Sequence, residues 1–108
     1  MLDMNRVLAF ISRPNASGWE VRVNFGVFAG RRASPAEIEE LAHALVPEFG
    51  HVTIVAEERY ELSDRSAMSV HQVRIDLPED VDADRVVVLA EHWAQACIAD
   101  RHAEISEP

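Results

Sequence analysis

The side chains able to do chemistry fall into a few small groups, and each has a plain structural use beside its chemical one. Arg31 and Arg32 stand just before Ser34-Pro35-Ala36-Glu37, a capping box with proline at the first helical position. A helix start offers unbonded amides and a positive dipole end, so Arg31, Arg32 and Ser34 form a candidate cradle for a carboxylate or phosphate. The competing use is local pairing of those arginines with glutamates. His71 lies where the alternation of Val70, Val73, Ile75 and Leu77 slips, which suggests a β-bulge at His71-Gln72 and a side chain re-aimed beside a site. Arg22 and Arg74 occupy polar positions of two strands, where they can meet an anionic ligand or simply pair with carboxylates such as Asp76.

Other chemistries find less support. The histidines at 43, 51, 71, 92 and 102 include no pair at helical i,i+4 spacing, and none joins Cys97 in a zinc pattern. No metal or cofactor is therefore expected. His92 and Cys97 lie roughly 140° apart around a helix, so they do not form a nucleophile and base. Ala96, Ile98 and Ala99 surround the thiol with apolar groups, as for an inert core cysteine. Glu57, Glu58, Glu61 and Asp64 read as charge for solubility and edge protection, and Glu79, Asp80, Asp82 and Asp84 as acids at a helix start. No P-loop, dinucleotide fingerprint or nucleophile elbow is present, and no catalytic residue is assigned.

The elements that must position these groups are organised around His51 to Leu77. Val52, Thr53, Ile54 and Val55 open a β-rich run, Ser63-Asp64-Arg65-Ser66 make a polar turn, and Val70 to Leu77 return, which is a β-hairpin. Ahead of it, Trp19, Val21, Val23, Phe25 and Val27 alternate with Glu20, Arg22 and Asn24 and predict a strand over 19–28. Glu20, Arg22, Asn24, Gln72, Arg74 and Asp76 then share a solvated outer face. Ile38, Leu41, Ala42 and Leu45 predict a helix from Ser34, ended near Val46 to Phe49 by Pro47 and Gly50. Val86, Leu89, Trp93, Ala96 and Cys97 predict a second helix, capped at Asp80 or Asp82 and running to about Arg101. Leu2 to Ser12 is ambiguous. Met4, Val7, Leu8 and Ile11 favour a short helix capped by Asp3; as a strand, its hairpin loop would be Arg13 to Gly18.

This order predicts an α+β fold. It is a ferredoxin-like β-α-β-β-α antiparallel sheet with both helices on one face, plus an N-terminal helix or an extra edge strand. The chain is expected to be one domain over 1–102 with a flexible acidic tail at 103–108. At 108 residues it buries roughly two-thirds of its unfolded surface, so its core suffices without a disulfide.

Net charge bounds the partners. With 19 acidic residues against 10 basic ones, the net charge is −9, which repels nucleic-acid backbones and anionic lipid. The two central strands also lack the aromatics on which RNA bases stack. One cysteine and no long apolar run fit a cytoplasmic protein. The expectation is a small non-enzymatic binding or regulatory module, a homodimer joined through its sheet, with a protein partner or a small anionic ligand. Two alternatives stand beside it. One is a small enzyme with a pocket between sheet and helices, using His71, Tyr60 or Arg22; the other is an acidic inhibitor of a basic protein using the Glu57–Asp64 tip.

Overall fold

The computed structural model describes residues 7–15 and 18–106. Its elements are β1 (Ala9–Asn15), β2 (Gly18–Val23), α1 (Phe25–Ala29), α2 (Pro35–Phe49), β3 (Thr53–Leu62), β4 (Ala67–Pro78) and α3 (Ala83–Ser106). The fold is α+β. The four strands make one antiparallel sheet of order β1-β2-β4-β3, so β4 lies between β2 and β3.

Period-two alternation decides what this sheet buries. Val21 and Val23 stand opposite Ile75 and Val73, and Ile54 stands opposite Ile75 from the other side. These side chains join Leu41 and Leu45 of α2 and Val86, Ala90, Trp93, Ala94 and Cys97 of α3 in one core. Val21, Val23, Phe25, Leu41, Leu45, Val73, Ile75 and Val86 are essentially sealed from water. Each contributes roughly 1.5–3 kcal/mol of transfer free energy. α2 starts where its capping box predicts: Ser34 Oγ accepts from the Glu37 amide, and the Glu37 carboxylate accepts from the Ser34 amide. The helix tolerates Pro47 in its last turn and ends at Gly50, whose φ of 76° lies in the left-handed region that glycine adopts without strain.

Several local expectations change. The N-terminal segment is a strand from Ala9, not a helix; Asp3 and Met4 lie outside the described residues. Ala9 and Ile11 pair with Val23 and Val21, giving β2 a second neighbour that a helix could not supply. The strand predicted over 19–28 stops at Val23. Asn24 turns the chain, its amide donating to the Leu8 carbonyl at 2.8 Å, and Phe25–Ala29 coil into the short α1. Gly26 is not a gap on the outer face: it is the contact point of α1 with β4, where a Cβ would lie 2.9 Å from the His71 backbone nitrogen.

The bulge expected at His71-Gln72 is absent, because β3 and β4 pair in one unbroken register from Thr53↔Asp76 to Leu62↔Ala67. The irregularity sits in β1, between Ile11 and Arg13. α3 is capped by Asp82, which accepts from the Arg85 amide at 3.3 Å, and runs to Ser106, past the expected end near Arg101. Its buried face uses Ala90 and Ala94, whereas Ala96 is exposed.

Candidate functional site

β2 covers β4 only from Val73 to Pro78. Beyond that, Glu57–Leu62 and Ala67–Gln72 continue as a two-stranded ribbon past the four-stranded sheet. Its tip is closed by the Ser63 amide donating to the Ser66 carbonyl at 2.9 Å. By alternation Glu58, Tyr60 and Leu62 share the helix-side face, while Glu57, Arg59, Met68 and Val70 share the outer one. Tyr60 and Leu62 are 67% and 74% exposed, and Met68 is 60% exposed. Among the described residues β3 pairs with β4 alone, so its far side is an open edge ten residues long.

At the root of the ribbon, Phe25 of α1 and the Arg32-Ala33 loop face Glu58, His71 and Val73 across a cleft of about 110 Å³. His71 and Glu58 are direct cross-strand partners, with His71 Nε2 3.5 Å from Glu58 Oε2. The Tyr60 hydroxyl donates to the other Glu58 oxygen at 3.1 Å, and this bond to a carboxylate pushes the phenol pKa up. The cleft has room for a few waters, against the roughly 300–1,000 Å³ of small-molecule sites. A larger open groove of about 540 Å³ lies between Val7-Leu8, Phe28 and Glu91, Gln95 and Ile98 of α3; among the described residues Glu91 is the one titratable group in its walls.

The six residues predicted to bind a ligand fall into three separate pairs, each beside a glutamate. Arg31 and Ser34 meet at Glu37. Arg31 donates through both terminal nitrogens to the Glu37 oxygens at 2.7 and 2.8 Å and lies 5.3 Å from the centre of the Phe25 ring. The Arg31 guanidinium outweighs the opposing effect of burial and, with the Ser34 contacts, holds Glu37 well below the usual carboxylate range, at about 2. The helix start thus already carries an anion, its own. Arg32 points into the cleft wall with His71 and Glu58.

Arg22 and Arg74 lie directly opposite one another on β2 and β4; Glu57 of β3 accepts from Arg22 at 2.9 Å and forms an ion pair with Arg74 at 3.3 Å. Glu20 takes the second Arg22 nitrogen at 2.7 Å, and Asp76 takes Arg74 at 3.1 Å. The outer face is therefore a lattice of paired charge. Two members were not visible as buried groups in the sequence. Gln72 donates to Asn24 at 2.6 Å and accepts from Arg22 at 3.2 Å, and both amides are buried. The slip at His71-Gln72 was the one trace of this, a polar residue set where a ribbon leaves the sheet.

Cys97 lies against α2, and burial pushes its thiol up to about 12, with Glu37 and Glu40 adding to the shift. At neutral pH it is not a thiolate, hence not a nucleophile. Among the described residues no three His, Cys, Asp or Glu side chains gather to hold a metal ion. Among the described residues no helix is long and apolar enough to cross a membrane.

No protein-family model, curated protein or solved structure matches this chain. The functional reading therefore rests on the geometry alone.

Proposed function

We propose that the protein is a small, non-enzymatic binding or regulatory module that works as a homodimer, with β3 of one copy pairing antiparallel to β3 of the other. The carrying observation is the edge itself: ten residues of backbone paired on one side only, ending in exposed Tyr60 and Leu62. Such edges recruit further strands unless they are blocked. The outer face is the weaker candidate. Its charges are already paired, and burying them would remove solvation without new partners.

Side-chain chemistry selects a register. With the two-fold axis at Glu58, Glu57 faces the partner's Arg59 twice, Ile54 faces the partner's Leu62, and Ala56 faces the partner's Tyr60. Centring the axis on Glu57, Glu58 or Arg59 sets a like-charged pair across it in each case, but only the Glu58 centre keeps both Glu57–Arg59 contacts. Centres nearer either end leave Leu62 or Ile54 uncovered. The chosen register covers Tyr60 and Leu62 and keeps all helices on one side of a continuous sheet.

The same connectivity supports a ferredoxin-like reading of the fold. β4 inserted between β2 and β3, with helices after β2 and after β4, is the split β-α-β arrangement, and β1 takes the remaining edge. That architecture serves many functions, so it does not choose among them. An enzyme reading has less behind it, since the cleft holding His71 is small and Tyr60 lies on the exposed ribbon.

Light scattering across a dilution series tests the proposal. The expected mass is twice the 12.1 kDa of the chain. Tyr60→Glu with Leu62→Glu should return the mass to that of one chain with unchanged circular dichroism. A single-chain mass at high concentration, or a dimer indifferent to both substitutions, rejects the edge.

A further inference from the structure

The paired edges bring together a set of side chains that neither copy holds alone. Glu58 and His71 lie opposite one another on β3 and β4, with Nε2 3.5 Å from Oε2, and their side chains are 41% and 31% exposed. Placing the two-fold axis at Glu58 sets the partner's Glu58 on the adjoining strand, about 4.8 Å away along the hydrogen-bonding direction. The result is a row across four neighbouring strands: His71, Glu58, the partner's Glu58, the partner's His71. All four lie on the helix-side face, beside the two small clefts.

Two carboxylates meeting at an axis require positive charge between them. Arg59, the arginine of β3, projects from the opposite face. Arg32 lines the same cleft as Glu58 and His71 from the loop before α2, one guanidinium in each copy. Two imidazole nitrogens and two carboxylates related by a two-fold are a donor set suited to a four-coordinate divalent transition ion such as Zn²⁺, with bonds of about 2.0–2.2 Å. One copy supplies two donors, too few to hold such an ion firmly.

Resting on the edge-pairing reading above, we infer that the dimer carries one divalent transition-metal site on its two-fold axis, formed by Glu58 and His71 of both copies. The metal would link the two protomers, so its supply would set how much of the protein is dimeric.

Calorimetric titration of the chelator-treated full chain with Zn²⁺ at pH 7.5, with light scattering in parallel, tests this. The expected result is one Zn²⁺ per two chains and a shift toward the dimer at dilutions where the metal-free chain dissociates. His71→Ala and Glu58→Gln should each weaken zinc binding by at least about tenfold, the scale of losing even an outer partner of a metal ligand. Both residues are partly exposed, so the variants should keep the wild-type circular dichroism. A dimer that takes no zinc, zinc bound one per chain, or an affinity unchanged in both variants overturns the metal site and leaves edge pairing standing. A chain that stays monomeric with and without zinc overturns both.

Discussion

Gln72 Nε2 donates to Asn24 Oδ1 at 2.6 Å, and Asn24 Nδ2 passes the chain on to the Val7 carbonyl at 2.8 Å. Two buried amides thereby tie the centre of the sheet, the turn into α1 and the start of β1 to one another. Asn24→Ala leaves the Val7 carbonyl and the Gln72 amide without their partner. The expected loss is about 1–3 kcal/mol in urea unfolding. A midpoint shift within error would show that water replaces the amide freely.

Glu37 makes stability depend on pH in a defined window. Its folded-state pKa, about 2, is below the ordinary value of 4.5, so the folded form binds its proton less readily. The stabilisation is fully present above about pH 4.5 and is lost as pH falls toward 2. Glu37→Gln keeps the shape but loses the charge for Arg31. Its unfolding midpoint should fall at pH 7 and approach wild type near pH 2. Equal losses at both pH values would assign the effect to packing instead.

Gly26 is held against β4, and a methyl group there would press on the His71 nitrogen, oxygen and Cβ, each 2.9 Å from the added carbon. Backbone atoms cannot swing aside. Gly26→Ala should destabilise by about 1–3 kcal/mol through overpacking. An unaltered or raised thermal midpoint would mean that α1 moves away from the sheet at little cost.

Edge pairing in the proposed register places Ala56 beside the partner's Tyr60. Within one strand these positions are about 13 Å apart, too far for a disulfide. The double variant Ala56→Cys, Tyr60→Cys should therefore form a covalent dimer on mild oxidation, reversed by reductant. Native Cys97 is buried and should not interfere. A chain that stays single on a non-reducing gel under oxidising conditions excludes that register.

How much of this was legible in the sequence depends on how local each determinant is. Ser34, Pro35 and Glu37 carry their instruction within four residues, and the helix starts where they say. The hairpin around Ser63–Ser66 was readable for the same reason. Phe25 and Val27 continue the alternation of β2, yet the chain coils there, because Asn24 finds distant partners in Val7, Leu8 and Gln72. No window on β2 contains that information. The site was legible to the same extent. Arg31 with Glu37 is a neighbour effect. That Arg22 stands opposite Arg74, and needs Glu57 rather than Asp76, follows only from the register of three strands. The ribbon lay inside the predicted hairpin. Its projection became visible only once β2 was seen to stop at Val23.

The indole of Trp93 donates to the Glu37 carbonyl at 2.8 Å and lies 5.3 Å from the Phe25 ring, whereas Trp19 sits at a far corner of the sheet, its nitrogen reaching the Glu79 carbonyl at 3.2 Å. The molecule thus carries one tryptophan in each layer. Replacing either by phenylalanine would isolate the emission of the other and reveal whether helices and sheet come apart as one cooperative unit or in sequence.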